Sequence, residues 1–281
     1  MNFRINHKTE YSYSDRVFFE PHYLRFKPKT TAYFTVEDFK LHIAPDPAGF
    51  SEQLDVENNH IFLCWFEETH NKLKIEADIF VNVREFNPFN FLIHPQEYEK
   101  LPFGYNKETR QLLKPSLQTT ELPNPMIEFL QNVLKETDYQ TVNFLTELTK
   151  QIHQNFLVES RETGTPFKPG YTFAKRKGSC RDLAWMQIHL LRSLGIASRF
   201  VSGYFYVQSN KPTYELHAWI EVYIPGAGWI GFDPSHGLIT GSYHIPVASG
   251  SFYANTMPVS GTVRGDAKHS LKNELNITLI S

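Results

Sequence analysis

The strongest candidate for a chemically reactive residue is Cys180, in the run GSCRDLAW at the start of a stretch with helical periodicity. Apolar residues recur through residues 183–194, and Gly195 follows where helices commonly end in a left-handed residue. Ser179, with Asp182 three positions later, predicts a capping box, which places Cys180 in the first helical turn. The positive end of the helix dipole would stabilise a thiolate there. The pattern therefore predicts a nucleophilic cysteine.

The helix dipole alone does not make this thiol fully reactive. It contributes at most about 2 kcal/mol, or roughly 1.5 pKa units, which leaves a thiol with a pKa near about 8.5 only about half ionised at neutrality. A paired histidine can lower a cysteine pKa to about 3–4, and its imidazolium can later protonate a leaving amine. The chain must therefore supply a histidine that is held in place.

His217 is the best candidate for that base, because it opens the alternating run HAWIEVYI, which predicts a strand. The chain turns through PGAG into WIGFDP, where Asp233 could accept the other ring N–H and fix the tautomer. A four-residue loop would put Asp233 on the wrong face of the hairpin. A five-residue loop, with Tyr223 opposite Trp229, or an equivalent bulge, brings it to the face of His217.

Other assignments of these residues stay open at this stage. A lone cysteine on an apolar helix is most often a small buried hydrophobe, and Asp233 before a proline is also what a simple turn shows. His236, in DPSHG, is the rival base. Cys64, inside the apolar run IFLCWF, is interpreted as a core residue.

Four further residues near these motifs receive secondary assignments. Arg181 and Asp182 are interpreted as ion-pair and capping residues rather than as catalysts. Trp219 and Tyr204 could line an acyl pocket, although aromatic residues in strands more often belong to the core.

Composition excludes several classes of function. The 281 residues carry a net charge of −2 with both signs interspersed, so no nucleic-acid or anionic-lipid footprint is expected. The sequence shows no signal peptide or membrane span, and its two cysteines predict free thiols in a reducing, cytoplasmic setting rather than a disulfide framework. The histidines lack the paired spacing of a zinc site, and we expect no metal and no cofactor. Oligomeric state is not predicted.

The elements that must position the candidate site fall into two predicted domains. Strict alternation over residues 73–83 predicts a half-buried antiparallel strand, and similar runs make residues 1–112 an all-β N-terminal domain with a connector. Residues 113–281 are predicted as an α+β catalytic domain. It has helices after Asn124 and from Thr141, the cysteine helix, three apolar strands, and a final alternating run at residues 275–279.

The runs GSCRDLAWMQIHLLRSLGIASRFVSGY and HAWIEVYIPGAGWIGFDPSHG resemble the core of the bacterial transglutaminase-like superfamily. FRINHKTEYSYSD, with LRFKP, is similar to the N-terminal β domain of the same family. The resemblance implies a papain-like core with Cys180 as nucleophile at a helix N-terminus packed on an antiparallel sheet, His217 as general base and Asp233 orienting it. One oxyanion-hole donor is then the Cys180 N–H, with Tyr171 as a candidate for the second.

The resemblance leaves the acceptor of the acyl group open. We expect hydrolysis of peptide or amide bonds in a peptide, protein or amide substrate, because crosslinking demands a second, water-excluding amine site for which the sequence has no signature. Protein-glutamine transamidation is the alternative, and a non-catalytic binding scaffold is a third hypothesis. We expect the N-terminal domain to border the cleft.

Overall fold

Long antiparallel strands build the N-terminal region, as the alternating pattern predicts. The computed structural model describes residues 1–161 and 163–280. The strands of this region are β1 (Asn2–Phe19), β2 (His22–Leu24), β3 (Phe34–Ala44), β4 (Gly49–Leu54), β5 (His60–Trp65) and β6 (Thr69–Val83). Every second residue of β6 from Leu73 to Val83 is buried, because one face of the strand lies on the core and the other does not.

The connector that follows is packed against the second region. It contains a 3₁₀ turn (Gln96–Glu99), α1 (Lys107–Leu112) and a second 3₁₀ turn (Lys114–Leu117). Tyr105 is buried, and its hydroxyl donates to the Tyr223 carbonyl at 2.8 Å and accepts from the Ala197 N–H at 3.0 Å. The connector is therefore an ordered segment held against the second region.

Helices and a five-stranded antiparallel sheet form the second region. Its helices are α2 (Asn124–Glu136), α3 (Thr141–Asn155), α4 (Pro169–Lys175) and α5 (Cys180–Ser193), with the two-residue parallel strands β7 (Leu157–Val158) and β8 (Lys177–Gly178) between them. The sheet strands are β9 (Ser198–Val207), β10 (Thr213–Ile224), β11 (Gly228–Asp233), β12 (Leu238–Ile239) and β13 (His244–Gly250). Their order is β12-β11-β10-β9-β13, and α5 packs across β10 and β9.

The predicted end of the cysteine helix is confirmed. Gly195 has φ +77°, a conformation that favours glycine, and it follows the last residues of α5. The fold class is also confirmed: an antiparallel N-terminal β region precedes an α+β region in which Cys180 begins a helix that packs on an antiparallel sheet. No helix within the described ranges is both long and apolar enough to cross a lipid bilayer.

The end of the chain returns to the first region. After a 3₁₀ turn (Tyr253–Thr256), the strands are β14 (Val259–Ser260), β15 (Val263–Arg264) and β16 (His269–Leu279). β16 pairs with β1 from Phe3–Leu279 to Tyr13–His269, and the sheets are ordered β15-β1-β6-β3, with β16 also on β1, and β14-β2-β5-β4. The alternating run at residues 275–279 therefore lies in the N-terminal sheet. The division at residues 112 and 113 stays a prediction.

Asn59 joins the N-terminal region to the five-stranded sheet of the second region through a fully buried side-chain amide. The amide nitrogen donates to the Ser249 carbonyl at 2.8 Å and to Asp55 Oδ2 at 3.0 Å. The amide oxygen accepts the Ser249 N–H at 2.8 Å and the Lys29 ammonium at 3.0 Å. One side chain thus satisfies both backbone groups of Ser249 on β13.

We predict that Asn59→Ala lowers the free energy of unfolding by about 3 kcal/mol, because it leaves several buried polar groups without hydrogen-bond partners. Asn132→Ala, at an exposed position of α2, is the matched control and should change stability by less than about 0.5 kcal/mol. Urea denaturation followed by tryptophan fluorescence measures both. Equal, small effects of the two substitutions would contradict the structural role of Asn59.

Candidate active site

The hairpin of β10 and β11 brings His217 and Asp233 together. Tyr223 pairs with Trp229, the register that the sequence required, and Ile220 pairs with Phe232. His217 Nε2 lies 2.8 Å from Asp233 Oδ2, and both side chains are buried. The predicted placement of Asp233 behind His217 is therefore what the structure has.

The Asp233 carboxylate is surrounded by donors. Oδ2 accepts from His217 and also lies 2.9 Å from His236 Nδ1 and 3.1 Å from His244 Nε2. Oδ1 accepts the Ser235 N–H at 3.0 Å and the Ser235 hydroxyl at 2.7 Å. A carboxylate with this many hydrogen bonds is held ionised and in one orientation.

Burial and pairing act in opposite directions on these two groups. Burial alone lowers the pKa of His217, but the charge and hydrogen bond of Asp233, with Cys180 and Glu215, hold that pKa well above its usual value. Burial alone raises the pKa of Asp233, but His217, His236 and His244 hold it well below its usual value. Burial lowers the pKa of His244 below its usual value, against the raising effect of Asp233. The charged pair is thus the imidazolium of His217 and the carboxylate of Asp233.

The capping box that the sequence predicts positions Cys180. Asp182 Oδ2 accepts the Ser179 N–H at 2.8 Å and the Ser179 hydroxyl at 2.6 Å, and Cys180 is the first residue of α5. Arg161 donates to Oδ1 of the fully buried Asp182 at 2.6 Å, and the Phe167 N–H does so at 2.7 Å. The start of α5 is thereby fixed to the preceding loop, and the assignment of Asp182 to capping and ion pairing is confirmed.

The second ring nitrogen of His217 faces away from Asp233. Nδ1 is buried and makes no well-aligned hydrogen bond within the described part of the chain. Glu215 Oε1 lies 3.0 Å from it, close enough for an ion pair, and the Cys180 thiol lies within reach of the same imidazole. Because Nε2 is engaged by Asp233, Nδ1 is the ring nitrogen that faces Glu215.

Cys180 and His217 open into one cavity of about 300 Å³. Tyr204 lines this cavity, as predicted, and its hydroxyl lies 3.1 Å from His7 Nδ1 of β1. Strands β1 and β16 contribute further wall residues, including Tyr11 and Asn273. The N-terminal region therefore borders the cleft, as expected.

Three other sequence candidates lie elsewhere around the site. His236 contacts Asp233 from outside, with Nε2 3.8 Å from Glu215, and does not line the cavity. Trp219 is buried, and its ring lies nearly parallel to the ring of His217. The Trp219 ring also covers Gly203, where a Cβ atom would lie 2.7 Å from the ring. Tyr171 is half exposed on α4 and outside the cavity wall, so the structure does not bring it to the site.

Two sets of side chains near His217 have the donor atoms and spacing to hold a metal ion. Glu215, His217 and His236 form one set, and His217, Asp233 and His244 the other, each with its ligand atoms within 4.8 Å of one another. In the second set the two nitrogens already contact the Asp233 carboxylate, so a cation there would compete with those contacts. The expectation of no metal stays a prediction.

Sequence reasoning missed Glu215 and His244. Glu215 lies two positions before His217 on the same strand, so the period of two contained a signal for it. His244 lies on β13 and pairs with Phe205 on β9. No local pattern in the sequence indicates its non-local contact with Asp233.

Comparison with known proteins agrees with this architecture. Residues 3–82 match the family model described as the bacterial transglutaminase-like N-terminal region, and residues 128–234 match that of the transglutaminase-like superfamily. A crystal structure from Cytophaga hutchinsonii, provisionally described as a cysteine protease, superposes with a TM-score of 0.73 at 21% identity, covering 100% of this chain and 91% of that one. At that identity the likeness establishes the fold alone.

Two curated relatives extend the comparison. An uncharacterized protein of Mycobacterium tuberculosis is 26% identical over 283 residues, covering 96% of this chain and 90% of its own. A protein-glutamine gamma-glutamyltransferase of Pseudomonas aeruginosa is 25% identical over 131 residues, which cover 43% of this chain and 20% of that protein. With both family models matched in order, the chain belongs to the transglutaminase-like proteins, and joins a bacterial transglutaminase-like N-terminal region to a transglutaminase-like core.

Proposed function

We propose that this protein is a cysteine-dependent hydrolase of peptide or amide bonds, with Cys180 as nucleophile, His217 as general base and acid, and Asp233 as the residue that orients His217. The observation that carries the proposal is the 2.8 Å contact between His217 Nε2 and Asp233 Oδ2, which leaves Nδ1 for the thiol. A nucleophile, a base and an orienting carboxylate in this relation are the elements of a catalytic triad.

Acylation follows from the arrangement of these groups. The Cys180 sulfur attacks the carbonyl carbon of the substrate amide, and the carbon–nitrogen bond breaks as the thioester forms. The His217 imidazolium gives its Nδ1 proton to the departing amine. The Cys180 N–H, at the first position of α5, is the first donor to the developing oxyanion, because the first N–H groups of a helix have no acceptor within the helix.

Deacylation reverses the roles of the same groups. His217 Nδ1 takes a proton from water as the water oxygen attacks the thioester carbonyl. The carbon–sulfur bond then breaks, releasing a carboxylic acid, and the proton on Nδ1 restores the ion pair with the thiolate. Asp233 stays ionised throughout, since its surroundings hold its pKa well below the usual value.

The size of the cavity favours hydrolysis over crosslinking. At about 300 Å³ it lies at the lower end of the range for ligand pockets, roughly 300–1,000 Å³. That space suits one small acyl group and an attacking water better than an acyl group together with a long amine. Transamidation is the second candidate, because the Pseudomonas aeruginosa relative is named as a protein-glutamine gamma-glutamyltransferase.

A reducing, cytoplasmic setting is part of the proposal. Both cysteines are free thiols, and Cys64 lies buried in the N-terminal core, so a bridge to Cys180 is not made. Burial raises the pKa of the Cys64 thiol to about 11, which makes it an internal reference for an unreactive cysteine.

We predict that iodoacetamide labels Cys180 rapidly well below pH ~8, because the imidazolium favours the thiolate. His217→Ala should slow this labelling at least about tenfold. Cys64→Ser is the matched control and should label like the wild type. Peptide mass spectrometry identifies the labelled cysteine and gives its rate. Equal, slow labelling of Cys180 in the wild type and in His217→Ala would favour the non-catalytic scaffold.

A peptide library incubated with and without excess methylamine distinguishes hydrolysis from transamidation. We expect shortened or deamidated peptides in the absence of amine, since water reaches the thioester. Cys180→Ser should abolish the products, and mass spectrometry detects them. Products that form only with methylamine would contradict the hydrolase assignment and support transamidation.

We predict that activity persists above pH ~6.5, the usual histidine pKa, and that the alkaline limb of kcat/KM moves to lower pH in Asp233→Asn. The sign follows from the charge: Asp233 raises the pKa of His217, so removing it lets burial lower that pKa. Glu221→Gln, on the same strand but paired with Arg199 at 2.6 Å, is the control and should leave the limb in place. An unmoved limb in Asp233→Asn would show that Asp233 does not set the charge of His217.

A further inference from the structure

The cavity beside Cys180 has a positively charged lining. Among the described residues that form its wall, the cationic side chains are Arg25, Arg181 and the His217 imidazolium, and neither aspartate nor glutamate is present. Arg181 lies next to the nucleophile and donates to the Gly164 and Arg161 carbonyls at 2.6 and 3.1 Å. Arg25 comes from the N-terminal region, just after β2. The two arginines therefore reach the cavity from the two regions of the chain.

Arg25 is a buried cation without an anionic partner. Arg25 is only 7% exposed. It forms no ion pair within the part of the chain that the structure describes. Nη1 donates to the Met257 carbonyl at 3.2 Å and to the Ser260 hydroxyl at 2.8 Å, while the buried Nε has no hydrogen-bond partner among the described residues. Asp55 acts on Arg25 only through longer-range charge, and its own oxygens accept hydrogen bonds from Asn59.

Four other polar side chains at this wall are paired with one another. Thr9 Oγ1 donates to Asn273 Oδ1 at 2.9 Å and lies 3.1 Å from His7 Nε2, while His7 Nδ1 contacts the Tyr204 hydroxyl. Arg25 is thus the wall residue that combines charge, burial and unused hydrogen-bonding capacity. Buried charges in proteins are normally paired, and the planar guanidinium matches a carboxylate through two parallel hydrogen bonds.

We propose that this cavity binds an acyl donor that carries a carboxylate, and that Arg25 pairs with this carboxylate while Cys180 attacks the amide carbonyl. This substrate class rests on the proposed hydrolase function. The carboxylate belongs either to an acidic side chain or to a free C-terminus of a peptide, because both present the same planar anion. The N-terminal region then selects the substrate, and the core performs the acyl transfer. No further reactant is required, since the carboxylate is bound and not transformed.

A structural role for Arg25 is the competing explanation. Its two Nη1 hydrogen bonds tie β2 to residues 257–260, and the Arg25 N–H donates to the Pro258 carbonyl at 2.7 Å. The side-chain bonds use only one nitrogen of the guanidinium, Nη1. A purely structural arginine would be indifferent to the charge of the substrate, so selectivity, rather than activity alone, separates the two roles.

The test compares peptide pairs that differ only by glutamate or glutamine, or by a free or amidated C-terminus. The wild type should turn over the carboxylate member of a pair at least about tenfold better in kcat/KM, a margin typical of a charge-assisted hydrogen bond. Arg25→Met should reduce that ratio to near one, and Arg25→Lys should retain part of it, because lysine keeps the charge but loses the planar geometry. The two series of pairs tell a side-chain carboxylate from a C-terminal one.

Arg264→Met is the matched control, since Arg264 has an exposed side chain and is paired with Glu20 on the surface. It should leave the ratio unchanged. Thermal melting shows whether Arg25→Met is folded; if it is not, the wild-type ratio and Arg25→Lys still decide. A wild-type preference for neutral peptides, or a ratio that Arg25→Met leaves intact, would overturn the proposal.

Binding to Cys180→Ala separates this proposal from the function on which it rests. Ligand-observed NMR with the same peptide pairs measures binding without turnover. If Cys180→Ala binds the carboxylate member and the double variant Cys180→Ala, Arg25→Met does not, the pocket is supported. This holds even if the wild type hydrolyses no peptide. Turnover of peptides without any charge preference in rate or binding would refute the pocket while leaving the hydrolase intact.

Discussion

The buried ion pair between His217 and Asp233 is the interaction on which the rest of this site depends. Burial by itself opposes both charges, lowering the pKa of His217 and raising that of Asp233. Each charge is stable there only because the other is 2.8 Å away and because His236, His244 and Ser235 also donate to the carboxylate. Removing one partner of such a pair is far more costly than the net contribution of the pair suggests.

Two structural features place the Cys180 thiol near the His217–Asp233 pair: the cap at the start of α5 and the packing of α5 on the sheet. The capping interaction of Asp182 with Ser179 fixes where α5 begins, and Arg161 fixes Asp182 to the preceding loop. The helix then packs on β10, the strand that carries His217. The proposed nucleophile and base are therefore attached to elements that pack directly on one another, which limits their relative movement. A triad of this kind needs such rigid supports, because acyl transfer is sensitive to small displacements of the reacting atoms.

Much of this arrangement could be predicted because it is encoded locally. Ser179 and Asp182 are three residues apart, and the hairpin register follows from the period of two and the length of one turn, so both predictions are confirmed. The contact of His244 with Asp233 joins β13 to the end of β11, and the pairing of β16 with β1 joins the two ends of the chain. Those contacts depend on tertiary packing that no local spacing determines. Tyr171 is a candidate by position alone, and it lies half exposed on α4, whose buried residues are Pro169, Thr172 and Phe173.

The most direct test of this account is the protonation state of His217, measured by NMR on protein labelled with ¹³C and ¹⁵N at histidine and assigned by comparison with His217→Gln. We expect both ring nitrogens of His217 to carry protons at neutral pH, and the ring to lose a proton only well above pH ~6.5, the usual histidine pKa. In Asp233→Asn the same ring should lose its proton at a lower pH than in the wild type. A wild-type His217 that is neutral at pH ~7, with a pKa at or below the usual value, would contradict the ion pair and the mechanism built on it.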